Sequence, residues 1–121
     1  MKKKAYYLAT CSTCQRILQQ TGVSEATGFE LQDIKTEAIN PRQLDEMKKL
    51  AGSYESLFSR RAIKYKSLGL KDKKLDETDY RKYILEEYTF LKRPVVIIGD
   101  RIFIGNDKKT VEALAAAVKA G

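Results

Sequence analysis

The chain has 121 residues, 43% of them hydrophobic, which suffices for one globular domain but not for two full-sized ones. Its 23 Lys and Arg residues exceed its 16 Asp and Glu residues, and the resulting net charge of +7 suits an anionic substrate or partner. Histidine is absent, which excludes Cys-His catalysis, histidine zinc ligands and a histidine general base within the chain.

The N-terminal residues argue against a membrane or secreted protein. No run approaches the roughly 20 apolar residues of a membrane-spanning helix. Lys2–Lys4 are followed by AYYLA, which is shorter than the apolar core of roughly 7–15 residues in a signal peptide. We therefore expect a cytoplasmic protein that contacts no membrane. Disulfides are rare in that compartment and are usually catalytic or sensory.

The first third of the chain reads as strand, helix, strand. KAYYLAT (4–10) is rich in aromatic residues, which favours a short strand. From Cys11 onward apolar residues recur at helical spacing, and Gly22 is a natural helix stop. FELQDI (29–34) alternates apolar and polar residues and predicts a second strand. The three elements form a βαβ unit with a right-handed crossover.

The middle of the chain, about residues 36–91, reads as mostly helical. Asn40 is a good helix cap, and Pro41 fits the first helical position. Two further helices are predicted over 57–68 and 78–91 from their apolar spacing.

The last third returns to β-structure. Residues 94–98 and 101–104 are apolar runs around a Gly-Asp turn, which predicts a β-hairpin. A final helix follows Asp107.

The assembled order is βαβ, a helical block, then ββα. This order predicts an α/β, thioredoxin-like fold with a four-stranded mixed sheet. We expect a single domain over 1–121, in which a core of 1–35 and 92–121 is interrupted by a helical insertion at about 36–91.

Cys11 and Cys14, in CSTC at the first strand-to-helix turn, are the only cysteines. A zinc site needs about four ligands, so no metal is expected. A structural disulfide across three positions closes almost no loop, and two inert buried thiols are a further alternative. We favour redox chemistry, because a helix N-terminus lowers the pKa of a thiol. Cys11 at the helix tip is then the nucleophile, and Cys14, one turn deeper, resolves the adduct.

Three further stretches carry a family resemblance. SLFSRRAIKYKSLGL (56–70) resembles an LFNTR…Y…LGL segment, and LKRPVVI (91–97) resembles an L-x-R-P segment followed by apolar residues. RIFIGND (101–107) resembles a second hairpin strand and the turn after it. With CSTCQR, these matches span nearly the whole chain in the order found in the ArsC/Spx/YffB family, the arsenate reductase-like branch of the thioredoxin fold.

The resemblance implies a substrate site made of the Cys11 thiolate and two arginines. Arg61 matches one of them, with its neighbour Arg60 as the alternative. Arg93 matches the other, and Pro94 matches the family's cis-proline, which faces the cysteine turn. Two guanidinium groups hold an oxyanion or carboxylate through paired hydrogen bonds and lower the pKa of a nearby thiol.

Ser12 and Thr13, between the two cysteines, complete the expected substrate-binding set. The chain departs from the family's arsenate reductases at two places. Those enzymes have serine at the position of Cys14, and a third arginine where Ile104 or Gly105 stands. Both departures argue against arsenate as the substrate, and the Cys-x-x-Cys pattern resembles the Spx-type regulators.

Two functions follow from the resemblance. The first is a thiol-dependent oxidoreductase that attacks arsenate, a glutathione adduct or a related small anionic or disulfide substrate. It binds no cofactor, and glutathione, glutaredoxin or thioredoxin is its reductant. The second is an Spx-like regulator that binds the RNA polymerase α-subunit through a Cys11–Cys14 switch. Gly52 lies near that class's polymerase-contacting glycine, although a helix end explains it more simply. We favour the enzyme, as a monomer without direct nucleic-acid binding.

Overall fold

Four strands form one mixed sheet in the computed structural model, which describes residues 2–120. The strands are β1 (Lys3–Tyr7), β2 (Glu30–Asp33), β3 (Val95–Ile98) and β4 (Arg101–Ile104). Their order in the sheet is β2-β1-β3-β4, with β1 parallel to β2 and antiparallel to β3, and with β4 antiparallel to β3. The predicted α/β fold class is therefore confirmed.

Five α-helices accompany the sheet in residues 2–120. They are α1 (Ser12–Thr21), α2 (Pro41–Ala51), α3 (Ile63–Ser67), α4 (Glu77–Glu86) and α5 (Lys108–Ala120). Short 3-10 turns occur at Glu25–Thr27, Glu55–Leu57, Leu70–Asp72 and Tyr88–Phe90. Within this part of the chain, none of the helices has the length and apolar character needed to cross a membrane.

The chain divides into two units by its internal packing. The sheet unit contains the described residues up to Glu37 and those from Arg93 onward, and the helical unit is Ala38–Lys92. The cysteines and all four strands belong to the sheet unit, while α2, α3 and α4 belong to the helical unit.

One face of the sheet is closed by α1 and α5. Ala5, Val96 and Phe103 lie opposite one another across three strands, so their side chains share a face. They form one buried cluster with Leu18 of α1 and Leu114 of α5. Burying one such leucine contributes about 1.5–3 kcal/mol to folding. The cluster fixes α1, and with it the cysteine turn, against the sheet.

The helical unit begins with a well-capped helix, as the sequence predicts. The Asn40 side chain accepts a hydrogen bond of 2.8 Å from the Gln43 N–H, and Pro41 is the first residue of α2. Such a cap is worth about 1 kcal/mol. The helix ends at Ala51 and is capped by Gly52, whose φ of 96° lies in the left-handed region that favours glycine.

The predicted helix over 57–68 is wrong for its first half. Phe58 is extended and forms an isolated antiparallel bridge with Leu91, so the helix is restricted to α3. The same bridge shortens the helix predicted over 78–91, which ends at Glu86 before an extended Glu87. Pairing between residues far apart in sequence thus overrides local helical spacing at both places.

The bridge places Phe58 at the centre of an aromatic cluster in the helical unit. Phe58 is fully buried and stacks on Phe90 with ring centroids 5.0 Å apart. Its ring also contacts Tyr80 at 4.9 Å and Tyr65 at 6.0 Å. Aromatic pairs of this kind add about 0.5–1.5 kcal/mol to the effect of burial alone.

We predict that Phe58→Ala lowers the free energy of unfolding by about 3–5 kcal/mol, because it leaves a cavity and removes three ring contacts. Phe58→Leu fills much of that volume and costs less. Exposed Lys66 provides the control, since Lys66→Ala changes stability by no more than about 0.5 kcal/mol. Urea denaturation followed by circular dichroism measures all three. A loss below about 1 kcal/mol for Phe58→Ala contradicts the central place given to this ring.

Candidate active site

Strand pairing brings the cysteine turn and the Arg93–Pro94 segment to the same end of the sheet. Tyr6, near the end of β1, lies opposite Val95, the first residue of β3. Because β1 and β3 are antiparallel, the residues that follow β1 are close to those that precede β3. Cys11 and Arg93 therefore come together although they are far apart in sequence.

Cys11 is the N-cap residue of α1. Its backbone is extended, with φ −93° and ψ 111°, and its N–H donates to the Leu8 carbonyl at 3.0 Å. The Gln15 N–H donates to the Cys11 carbonyl at 3.1 Å and begins the helical hydrogen bonding. The thiol is half-buried, so a reactant can reach it. The sulfur stands at the positive end of the helix dipole.

The surroundings of Cys11 favour its thiolate. Partial burial raises the pKa of the Cys11 thiol, but hydrogen bonds from the backbone N–H and the thiol of Cys14 act against it. The Thr13 N–H and the positive charge of Arg93 act in the same direction, so the pKa of Cys11 lies below its usual value.

Cys14 is in the opposite state. It is fully buried in the first turn of α1, and both thiols are free. Burial raises the pKa of Cys14 to about 11, with further upward contributions from its hydrogen bond to Cys11 and from the Cys11 charge. A hydrogen bond with the Leu8 backbone opposes this rise. The surroundings thus favour the thiolate at Cys11 and the neutral thiol at Cys14.

The Arg93–Pro94 peptide is cis, as the resemblance implies. Arg93 is half-buried, and Pro94 is buried at the start of the segment that becomes β3. The Pro94 carbonyl accepts a hydrogen bond of 2.9 Å from the N–H of Gly105. Either Ile104 or Gly105 stands where the resemblance places a third arginine. They supply a backbone hydrogen bond at that position and no positive charge.

Arg60 and Arg61 belong to the helical unit and have different surroundings within it. Arg60 donates to the Glu55 carboxylate at 2.9 Å and to the Tyr80 hydroxyl at 3.0 Å. The hydrogen bond to Glu55 raises the pKa of Arg60. The Arg61 side chain is exposed and has no ion-pair or hydrogen-bond partner between residues 2 and 120. Of the two, Arg61 has the guanidinium group that is available to bind an anion.

Ser12 and Thr13 are the first two residues of α1, with Ser12 exposed and Thr13 half-buried. Sequence reasoning overlooked Gln15, whose side-chain amide donates to the Ala9 carbonyl and ties the turn to the helix. A polar side chain directly after the Cys-x-x-Cys pattern was the available signal. Across residues 2–120, no group of three or more Cys, Asp or Glu side chains is placed to hold a metal ion.

We predict that iodoacetamide modifies Cys11 at neutral pH and leaves Cys14 unmodified until the solution is strongly alkaline, because only thiolates react. Arg93→Gln moves the pH profile of Cys11 upward, since it removes the positive charge beside the thiolate. Arg101→Gln is the matched control, because Arg101 lies at the opposite end of β4. Peptide mapping after timed alkylation measures both cysteines. Equal pH profiles for Cys11 and Cys14 contradict the asymmetry described above.

Known proteins with similar structures indicate the fold of this chain, and a sequence model indicates its family. The structure resembles a protein from Bacteroides fragilis described as related to the ArsC family, with a TM-score of 0.76 and 21% identity over 94% of this chain and 99% of that one. It also resembles an arsenate reductase from Vibrio cholerae, with a TM-score of 0.74 and 17% identity over 94% and 98% of the two chains. These likenesses show the fold.

No match was found among curated proteins. A sequence model of the ArsC family matches residues 6–114, a range that contains both cysteines, Arg60, Arg61 and the Arg93–Pro94 peptide. This protein therefore belongs to the ArsC family, with its arsenate reductase-like, thioredoxin-type fold.

Proposed function

We propose that this protein is a thiol-dependent oxidoreductase in which Cys11 attacks the substrate and Cys14 resolves the adduct. The observation that carries the proposal is the arrangement at the start of α1. There Cys11 is half-buried and has a lowered pKa, whereas Cys14, one helical turn deeper, is fully buried and has a raised pKa. A difference in pKa between the two thiols serves a nucleophile and its resolving partner, whereas two inert core thiols have no use for it.

The reaction is a pair of thiol–disulfide exchanges. The Cys11 thiolate attacks one sulfur of a glutathione mixed disulfide, forms a new S–S bond to glutathione, and expels the other thiolate, which takes up a proton. Cys14 then attacks the Cys11 sulfur, its proton passes to the departing glutathione thiolate, and a Cys11–Cys14 disulfide forms. The substrate gains two electrons, and an external thiol of the glutathione, glutaredoxin or thioredoxin class returns them to the protein.

Part of the rise in the pKa of Cys14 belongs to the resting state, in which Cys11 carries no adduct. Two of its causes, the hydrogen bond to Cys11 and the Cys11 charge, depend on the free thiolate. Once Cys11 is bound in a neutral mixed disulfide, both contributions disappear and the pKa of Cys14 falls. Burial, the largest cause of the raised pKa, remains, so the adduct lowers the pKa of Cys14 without removing the whole rise.

Arg93 is the proposed anion-binding residue beside the nucleophile, since its charge already acts on Cys11. A second contact from Arg61 stays a prediction that rests on the resemblance, and its unengaged guanidinium supports it over Arg60. Ile104 and Gly105 offer no third arginine for a tetrahedral oxyanion. Together with Cys14 in place of serine, this favours a disulfide with a carboxylate over arsenate.

We predict that the protein reduces a glutathione mixed disulfide and that Cys11→Ser lowers turnover to the uncatalysed background. Arg93→Gln raises KM about tenfold, the equivalent of one lost charge-assisted hydrogen bond of roughly 1.5 kcal/mol. Arg101→Gln leaves KM within about twofold, because exposed charges remote from a site contribute little. The same assay with arsenate compares the two substrates. Measuring Arg61→Gln and Arg60→Gln side by side compares the two arginines. No turnover of either substrate contradicts the proposal.

An Spx-like redox regulator is the second candidate, and the pair of free thiols within one helical turn is the observation in its favour. Gly52 does not support the regulator, because the left-handed backbone of a helix C-cap already accounts for a glycine. Close packing is not the reason for it, since a Cβ there would meet nothing within 4 Å.

We predict no binding to the C-terminal domain of the RNA polymerase α-subunit by either the dithiol or the disulfide form. A pull-down with both forms and with Cys14→Ser tests this. Binding by one redox form that Cys14→Ser abolishes favours the regulator over the enzyme.

A further inference from the structure

The positive charge of the chain is concentrated in one segment. Residues 60–74, the basic segment, contain seven of the 23 Lys and Arg residues and one of the 16 Asp and Glu residues. The rest of the chain has 16 basic and 15 acidic residues, so it is close to neutral. The net charge of +7 thus resides almost entirely in one part of the helical unit.

Most of this charge faces solvent without compensation. Arg60 pairs with Glu55 at 2.9 Å, and Lys64 pairs with Glu87 at 3.0 Å. The other five basic side chains are exposed and have no ion-pair partner in the described chain; they are Arg61, Lys66, Lys71, Lys73 and Lys74. Like charges repel one another within a Debye length of about 10 Å, and consecutive residues such as Lys73 and Lys74 have Cα atoms only about 3.8 Å apart. An acidic partner would relieve that repulsion.

Two exposed apolar side chains lie in the same segment. Ile63 is 85% exposed and Leu68 is 48% exposed, and no other large apolar side chain described here is exposed. Their orientation follows from the packing of α3, since Ala62 is buried and Tyr65 contacts the Phe58 ring. A single exposed leucine needs no explanation. Here both such residues of the described chain lie in the segment that holds nearly all of its excess positive charge.

We propose that the basic segment is a docking surface for a protein that presents carboxylates around one or two apolar side chains. The charges would accelerate encounter, and burial of Ile63 and Leu68 would slow dissociation. A nucleic acid fits less well, because phosphate contacts leave both apolar side chains unused and the one aromatic residue of the segment, Tyr65, packs against Phe58. The proposal is independent of the chemistry at Cys11.

The probes are two fluorescein-labelled peptides and a DNA duplex. One peptide alternates acidic residues with leucine, the other has serine in place of each leucine, and the duplex is of similar charge. Fluorescence anisotropy gives the affinity of each at about 50 and about 150 mM salt. We expect the leucine peptide to bind at least about fivefold more tightly than the serine peptide, the equivalent of burying one or two methylene groups.

Paired variants locate the surface. The double variant Ile63→Ser, Leu68→Ser should abolish the preference for the leucine peptide. If that variant does not fold, Ile63→Ser alone tests the same expectation. Lys73→Glu with Lys74→Glu should weaken both peptides about tenfold. Lys108→Glu with Lys109→Glu makes the same change in net charge at the exposed start of α5, and should alter affinity by less than about twofold.

Amide chemical shifts in the ¹⁵N–¹H spectrum should move mainly within residues 60–74 when the leucine peptide is added. Three results overturn the proposal: equal affinity for both peptides, tighter binding of the duplex than of the leucine peptide, or equal losses from the two charge reversals.

Discussion

The antiparallel pairing of β1 with β3 is the constraint on which the candidate site depends. Cys11 and Arg93 are separated by the whole helical unit in sequence, and each lies just outside its strand. The register that sets Tyr6 opposite Val95 brings these two strand ends together. The buried cluster around Ala5 and Val96 holds that register, because a shift by one residue would turn these side chains to the other face.

Given that framework, the chemistry follows from a difference between two thiols one helical turn apart. The helix N-terminus and Arg93 favour the charged form of Cys11, while burial favours the neutral form of Cys14. Each thiol strengthens the state of the other through their shared hydrogen bond. In the proposed reaction, an adduct on Cys11 removes its charge, and with it one of the contributions that raise the pKa of Cys14.

Local signals predicted most of this arrangement, and non-local contacts account for what they missed. The Asn40 cap and the apolar hairpin runs depend on neighbouring residues, so the sequence shows them directly. The bridge between Phe58 and Leu91 joins residues that are far apart in sequence, so no local sequence pattern predicts it. The sequence favours Arg61 and leaves Arg60 as an alternative, and the contacts of Arg60 with Glu55 and Tyr80 distinguish the two.

The central claim, that Cys11 attacks and Cys14 resolves, is tested most directly by intact-mass spectrometry after one turnover with glutathione disulfide. The account predicts that Cys14→Ser accumulates one glutathione bound at Cys11 and that Cys11→Ser accumulates none. The unaltered protein should instead lose two hydrogens and retain no glutathione. Glutathione trapped at Cys14 in Cys11→Ser, or retained by the unaltered protein, would contradict it.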